Sequence, residues 1–336
     1  MNKIIPAFIM VSAILFASSC NNDINTDAEF KEIMVVYGLL NTNDTVHYIR
    51  VNKAFLTNGQ SAIEVAKNHD KVFFDSLDVV IEEYDVGSST PIFRTSYALQ
   101  KDESLAKDTG VFANYPNVLY SLKQKLNENY EYKVIITNKL TGNIATATTR
   151  LVHDPTLSNP SLITNLYLID PTRNLNFSWT GGRNAKVYDM NVRFYWDEYD
   201  SATNQVIDSN LFIDWNVVGN KETSISGSIR SNVPGKNFFS FIGSKLPYQV
   251  GKYRVPKKID FIYWAADDEL FLYRNVNTPS VGIVQTKPEY TNLSSGNFGI
   301  IASRNRFIIS NVSISPKTAT FLRTNSNTSR LKFREP

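Results

Sequence analysis

The sequence has a single cysteine, Cys20, and three histidines, His47, His69 and His153. One cysteine leaves no disulfide framework within the chain, so core packing must hold the fold. The histidines lie far apart and form no H-x-H or H-x-x-x-H pair, whereas a zinc site needs several such ligands converging. They read as solvated side chains, His47 on a strand and the other two near a loop or boundary. There is no G-x-S-x-G nucleophile elbow and no G-x-x-x-x-G-K phosphate loop. No apolar run reaches the roughly 20 residues that cross a bilayer as a helix. Charge of neither sign dominates: the formal net charge is +3. Lys and Arg are scattered, with Lys257-Lys258 the densest pair, which leaves no basic footprint for nucleic acid.

Carboxylates are present, but their spacing suits chemistry poorly. Glu82 and Glu83 are adjacent, and adjacent strand residues point to opposite faces, so the pair cannot act jointly as a glycosidase would require. Asp267-Asp268-Glu269 reads as a helix start, because carboxylates favour a helix N-terminus. Asp197, Glu198, Asp200 and Asp214 lack the regular alternation of a calcium loop. No catalytic residue, metal or cofactor is expected, and the chain reads as a non-enzyme.

What is present begins at the N-terminus. Met1-Asn2-Lys3 is a short positive segment, Ile4 to Phe16 is apolar apart from Pro6 and Ser12, and Ala17, Ser18 and Ser19 are small. Cys20 follows. This is the layout of a secretory signal peptide over 1–19. The small residues before a cysteine resemble a bacterial lipobox, although Ala17 stands where leucine is usual. The resemblance implies that Cys20 is acylated and becomes the mature N-terminus, with 20–30 as a flexible tether. Several acyl chains hold a protein on a membrane durably, since each buried CH₂ contributes about 0.8 kcal/mol. Asn21 gives no inner-membrane retention signal, and Asp23 is one acidic residue of the kind that directs surface export. The expected location is the outer membrane, with exposure at the cell surface.

The remaining chain reads as mainly β. Short runs of Val, Ile, Tyr, Phe and Thr alternate with Asn, Gly, Pro and Asp clusters. Expected strands in the first half are Glu32–Leu40, Thr45–Ala54, Leu77–Tyr84, Ile92–Tyr97, Tyr130–Asn138 and Ile144–Val152, with a helix over Gln60–Asn68. Prolines in His153-Asp154-Pro155 and Ser158-Asn159-Pro160 mark a linker. The second half offers strands Leu175–Trp179, Val187–Tyr199, Leu211–Val218, Ile259–Ala265, Gly299–Ala302 and Arg306–Ile314. Helices are expected over Gly235–Leu246 and from Asp267 through Arg274. A strand ending in Trp179, a Gly181-Gly182 turn, then Ala185-Lys186-Val187-Tyr188 resembles fibronectin type III and related sandwiches. Two β-sandwich domains are therefore expected, 31–152 and 160–323, followed by a poorly ordered polar tail over 324–336. On the long strand, Tyr188, Met190, Val192, Phe194 and Trp196 share one face. Arg193, Tyr195 and Tyr199 fall on the other, a composition common at interfaces and sugar-stacking sites.

Three stretches resemble a family of Bacteroidota lipoproteins, the domain of unknown function 4249. They are Val36-Tyr37-Gly38-Leu39-Leu40-Asn41 with Asp44-Thr45-Val46-His47; Tyr120-Ser121-Leu122 through Tyr130-Glu131-Tyr132-Lys133-Val134 to Thr141-Gly142 and Ala145-Thr146-Ala147-Thr148; and Tyr290-Thr291-Asn292-Leu293 through Gly296-Asn297-Phe298-Gly299-Ile300-Ile301. The resemblance implies an envelope lipoprotein that accompanies a TonB-dependent transporter or another envelope protein. Two alternatives stand beside it: a fimbrial or adhesin subunit, which needs an exchangeable edge strand, and a glycan-binding surface module.

Overall fold

The computed structural model describes residues 32–55, 61–87, 89–113, 115–223, 228–278, 289–294 and 296–335. The expected signal peptide, Cys20 and nearly all of the tether lie outside them. The first half runs β1 (Met34–Leu40), β2 (His47–Lys53), α1 (Ala62–Lys67), α2 (His69–Val72), β3 (Leu77–Asp85), β4 (Ile92–Ala98), β5 (Gln100–Asp102), β6 (Leu119–Leu122), β7 (Tyr130–Asn138) and β8 (Ile144–Arg150). The second half begins with β9 (Thr156–Asn159), β10 (Leu166–Tyr167), β11 (Asn174–Thr180), β12 (Val187–Asp200), β13 (Val206–Glu222) and β14 (Ser228–Pro234). It ends with α3 (Lys236–Lys245), β15 (Lys252–Ala266), α4 (Asp268–Asn277), β16 (Phe298–Ile314), α5 (Pro316–Thr324) and a 3₁₀ turn at Ser329–Leu331. The protein is mainly β and sandwich-like, as its alternating pattern leads one to expect.

The strands form three sheets. A long sheet has the order β13-β12-β15-β16-β1-β2-β6-β5, with β10 beside β16. A four-stranded sheet, β4-β3-β7-β8, packs against its first-half portion, and a three-stranded sheet, β14-β11-β9, against its second-half portion. The first core joins Met34, Val36 and Ile49 to Val79, Ile81, Tyr132, Val134 and Ile136. The second joins Met190, Val192, Phe194 and Phe261 to Phe177 and Trp179, with Phe238 and Phe239 of α3 filling it. Period-two alternation explains both: on β7, Tyr132, Val134 and Ile136 are buried while Glu131, Lys133 and Ile135 are half-buried.

The expected division into separate domains at 153–160 does not hold as drawn. There are two cores, but Ile33–Pro336 is one compact unit, because the long sheet runs through both halves. Its joint is a parallel pairing of β1 with β16, from Val35 opposite Phe298 to Leu40 opposite Ser303. Leu293 and Ile301 of the second half pack into the first core. The prolines at 155 and 160 mark a crossing between cores rather than a free linker.

The C-terminal expectation is also corrected. Residues 324–336 are mostly polar in sequence, yet Leu331 and Phe333 are buried in the second core. Phe333 meets the Phe194 ring edge-on, with centroids 6.0 Å apart. The Arg254 guanidinium donates to the Leu331 carbonyl, and the Arg334 amide donates to the Arg254 carbonyl at 2.8 Å. Thr328 is also fully buried and Arg330 donates to the Gly243 carbonyl, so a segment that composition assigns to solvent is docked on the second core.

Candidate functional site: the outward face of the long sheet

β12 sorts its residues as its pleat requires. Tyr188, Met190, Val192, Phe194 and Trp196 all point into the core. Arg193 and Tyr195 face outward and are half-buried. Arg193 lies opposite Asp214 of β13 and forms a two-pronged ion pair with it, Nε to Oδ1 at 2.7 Å and Nη2 to Oδ2 at 2.8 Å. Asp214 thereby holds Arg193 more firmly protonated than an ordinary arginine. The same guanidinium sits 4.2 Å from the centre of the Phe212 ring. Phe212 is opposite Tyr195 and is 52% exposed.

Tyr195 extends the cluster toward β15. Its hydroxyl donates to Asp260 Oδ2 at 2.9 Å, and Asp260 Oδ1 accepts the Asn311 amide at 2.7 Å. Lys258 lies 4.7 Å from the Tyr195 ring centre. Burial and the hydrogen bond to Asp260 raise the Tyr195 pKa, so its hydroxyl stays protonated. The face is therefore a braced lattice of cation, ring and carboxylate with an exposed phenyl group at its surface. It suits contact, since aromatic and arginine side chains on a rigid frame lose little entropy when covered.

The structure brings Arg193 and Tyr195 together but places Tyr199 elsewhere. Pairing of β12 shifts register between Trp196 and Glu198 and again before Tyr199 on the β13 side, and between Phe194 and Trp196 on the β15 side. Bulges of this kind break strict alternation, and Asp197 and Glu198 are consecutively buried as a result. Tyr199 stacks on Tyr253, with centroids 5.1 Å apart and planes 10° apart. The Arg334 guanidinium lies 3.6 Å from the Tyr253 ring centre. Tyr253 in turn lines a cavity of about 540 Å³ with Lys252, Arg323 and Lys332.

The acidic residues are each committed separately. Asp197 pairs with Lys257, Glu198 with Lys252 and Arg254, and Asp200 caps a turn through the Ala202 and Thr203 amides. Glu83 accepts from Tyr132 and Arg94, and Glu82 from Tyr84. Asp267 caps α4 by accepting the Leu270 amide at 2.9 Å, as expected of that acidic run. Among the described residues no group of three or more His, Cys, Asp or Glu could hold a metal ion.

The reading of all three histidines as solvated is corrected. His47 is 1% exposed, and among the described residues its ring nitrogens meet no partner at good hydrogen-bond geometry, the Gln124 backbone giving at most a weak contact. Burial lowers its pKa, against weaker opposing pulls from Asp44 and the Gln124 backbone. The cause is its place on β2, where alternation carries it inward beside the first core. His69 and His153 are half-buried, His153 with Nε2 at 2.9 Å from the Glu128 carbonyl.

A buried polar seam between the cores was not visible in the sequence. Asp267 Oδ2 accepts the Ser303 amide at 2.6 Å and the Thr149 hydroxyl at 3.0 Å. The Ser303 hydroxyl donates to the Leu40 carbonyl and accepts the Val152 amide. Only the acidic cluster at 267–269 hinted at any of this, and it hinted at the helix cap alone.

No protein-family model matches the chain, and no curated protein does. Among solved structures, the chain is similar to a trypsin-activated alpha-2-macroglobulin from Escherichia coli. The identity is 8% and the TM-score 0.18, and the match covers 71% of this chain and 14% of that one. The chain thus corresponds to about a seventh of that protein's length, and a likeness of this degree carries no argument about function.

Proposed function

We propose that this protein is a lipid-anchored component of the bacterial outer membrane, exposed at the cell surface, that binds another envelope protein and catalyses no reaction. The observation that carries the reading is Cys20, the chain's single cysteine, placed directly after an apolar run and three small residues. A TonB-dependent transporter is the partner implied by the resemblance of residues 36–47, 120–148 and 290–301 to the Bacteroidota lipoprotein family. The Arg193–Tyr195–Phe212 face supports a contact role. So does its position at β13, a strand of 17 residues that is paired on one side only among the described residues. An edge strand offers unpaired backbone groups, and an exposed ring beside it offers apolar area.

Two measurements test the proposal. A Cys20→Ala variant is expected to lose fatty-acid labelling and to leave the membrane fraction; retention in that fraction would defeat the anchoring argument. After gentle solubilisation of cells, the lipidated protein is expected to co-purify with a transporter. A Phe212→Asp variant that folds normally should recover severalfold less of it, and recovery of no envelope protein at all would defeat the partner argument.

A further inference from the structure

A cavity of about 400 Å³ opens over the outward face of β1 and β2. Its floor consists of cross-strand neighbours, Val35 with Asn52 and Tyr37 with Arg50. Phe55, Val72 and Phe73 add apolar lining, and Lys107 and Phe112 come from the segment that follows β5. The size falls within the roughly 300–1,000 Å³ of small-molecule sites. Four aromatic side chains line it, and two of them present open surface, Tyr37 at 40% and Phe112 at 52% exposed.

Charge is one-sided there. Arg50, Lys53 and Lys107 all line the cavity, and among the described residues no Asp or Glu does. None of the three is in an ion pair among the described residues; each donates to a neutral oxygen instead. Arg50 Nη2 reaches Asn117 Oδ1 at 2.7 Å, Lys53 Nζ the Asp70 carbonyl at 3.0 Å, and Lys107 Nζ the Ala113 carbonyl at 3.2 Å. All three side chains are half-buried. Burial lowers the pKa of Arg50, and burial together with the neighbouring Arg50 charge lowers that of Lys107. Two cations that repel each other in a partly desolvated, apolar setting carry an electrostatic cost that an anion between them would relieve. Elsewhere Arg193, Lys252 and Arg254 each have a carboxylate partner.

We propose that this cavity binds a small organic anion with an aromatic body, its carboxylate or phosphate head held by Arg50 and Lys107 and its ring seated against Tyr37, Phe73 and Phe112. Lys53 extends the positive edge. Guanidinium groups suit both heads, because their fork matches two oxygens at once. The site lies on the opposite half of the long sheet from the Arg193–Tyr195 face, and the inference does not depend on lipidation or on a protein partner.

The test is isothermal titration of the full chain in mild detergent with 1-naphthoate, 1-naphthyl phosphate, uncharged 1-naphthamide and inorganic phosphate. At least one of the two naphthyl anions is expected to bind ten times more tightly than the amide or more, with the tighter of the two identifying the preferred head. Arg50→Gln should weaken that anion at least tenfold. Lys107→Met and Phe112→Ala should weaken it severalfold, with melting temperatures within about 2 °C of the parent. The last two variants keep the test decisive if Arg50→Gln fails to fold. Equal binding of acid and amide, absence of binding by both anions, or unchanged affinity in Lys107→Met and Phe112→Ala would overturn the proposal. Inorganic phosphate binding as tightly as naphthyl phosphate would also overturn it, since the apolar lining would then contribute nothing.

Discussion

Asp267 shows how a single residue can be legible in one role and hidden in another. Its side chain is 6% exposed, and burial pushes its pKa up to about 6, against the pull of hydrogen bonds from Leu270, Ser303 and Thr149. A carboxyl whose folded pKa lies above its unfolded value of about 3.9 binds its proton more tightly in the folded state. Its stabilising contribution is complete below about pH 4 and is lost as pH rises through about 6. At pH 7 the charged group costs on the order of 3 kcal/mol relative to acid. Asp267→Asn should therefore flatten the dependence of melting temperature on pH between 4 and 7, followed by circular dichroism. Parallel profiles for parent and variant would remove the argument. His47 acts in the opposite direction: its lowered pKa means the unfolded chain takes up protons first, so its contribution weakens as pH falls below the ordinary histidine range.

Gly299 makes a second residue-scale prediction. Its φ is +106°, and a Cβ there would stand 1.9 Å from the Val36 carbonyl oxygen. That contact is with backbone, in the strand pair that joins the two halves, and cannot be relieved by a side chain turning away. Gly299→Ala should destabilise the protein by at least about 2 kcal/mol, combining a strained backbone with a displaced strand, as measured by urea denaturation. A change within about 0.5 kcal/mol would show that the β1–β16 joint tolerates separation.

At the scale of elements, the C-terminal segment and β15 act as one unit. Arg254 and Glu198 form a buried ion pair at 2.9 Å, and Arg254 also donates to the Pro247 and Leu331 carbonyls. Removing the arginine leaves Glu198 buried with Lys252 alone, and loss of one member of a buried pair costs about 3–5 kcal/mol. Arg254→Met should show that loss in chemical denaturation and should expose the segment after residue 324 to limited proteolysis. Phe333→Ala should release the same segment, at about 3–5 kcal/mol for an emptied aromatic site, while leaving the Glu198 pair intact. Unchanged proteolysis in both variants would mean that the segment is held by other contacts.

Strand boundaries were legible where alternation is clean. β7 begins and ends where its pattern places it, and β12 extends one residue past the expected Tyr199. They were less legible where a strand carries buried polar residues. β16 reads in sequence as two strands interrupted at Ser303-Arg304-Asn305, yet it is continuous. The interruption is Ser303 and Asn305, both buried and both hydrogen-bonded across the joint, Asn305 to Asp154 and Asn43. Hydropathy cannot separate a polar residue that ends a strand from one whose partner lies elsewhere in the fold. The asparagines of 290–301 behave similarly. Asn292 holds both backbone groups of Ile301, and Asn297 accepts the Met34 amide at 2.9 Å.

At the scale of the whole molecule, the shared sheet decides how the chain folds and what can be removed from it. β1 needs β16 on one side and β2 on the other. A fragment ending near residue 152 would lose that neighbour together with Leu293 and Ile301 from its core. Such a fragment is expected to show no cooperative thermal transition by circular dichroism, whereas Ile33–Pro336 should melt as a single unit. Independent, reversible melting of the fragment would restore two autonomous domains. Pairings as distant in sequence as Val35 with Phe298 also carry a large loop-closure cost, so slow folding is expected of this topology.

The sequence by itself determined the mainly β character, most strand positions and the inward faces of β7 and β12, because pleat and alternation act between near neighbours in the chain. The proposed anchor likewise rests on the sequence alone, since the apolar run, small residues and Cys20 are contiguous. The tertiary structure alone decided the rest. It separated Tyr199 from Arg193 and Tyr195, buried His47 and Phe333, and joined the two halves through β1 and β16. It also gathered Arg50, Lys53 and Lys107 around one apolar cavity. Each of those outcomes depends on which distant backbone a segment pairs with, and the energy of such pairing lies in contacts that local pattern does not record.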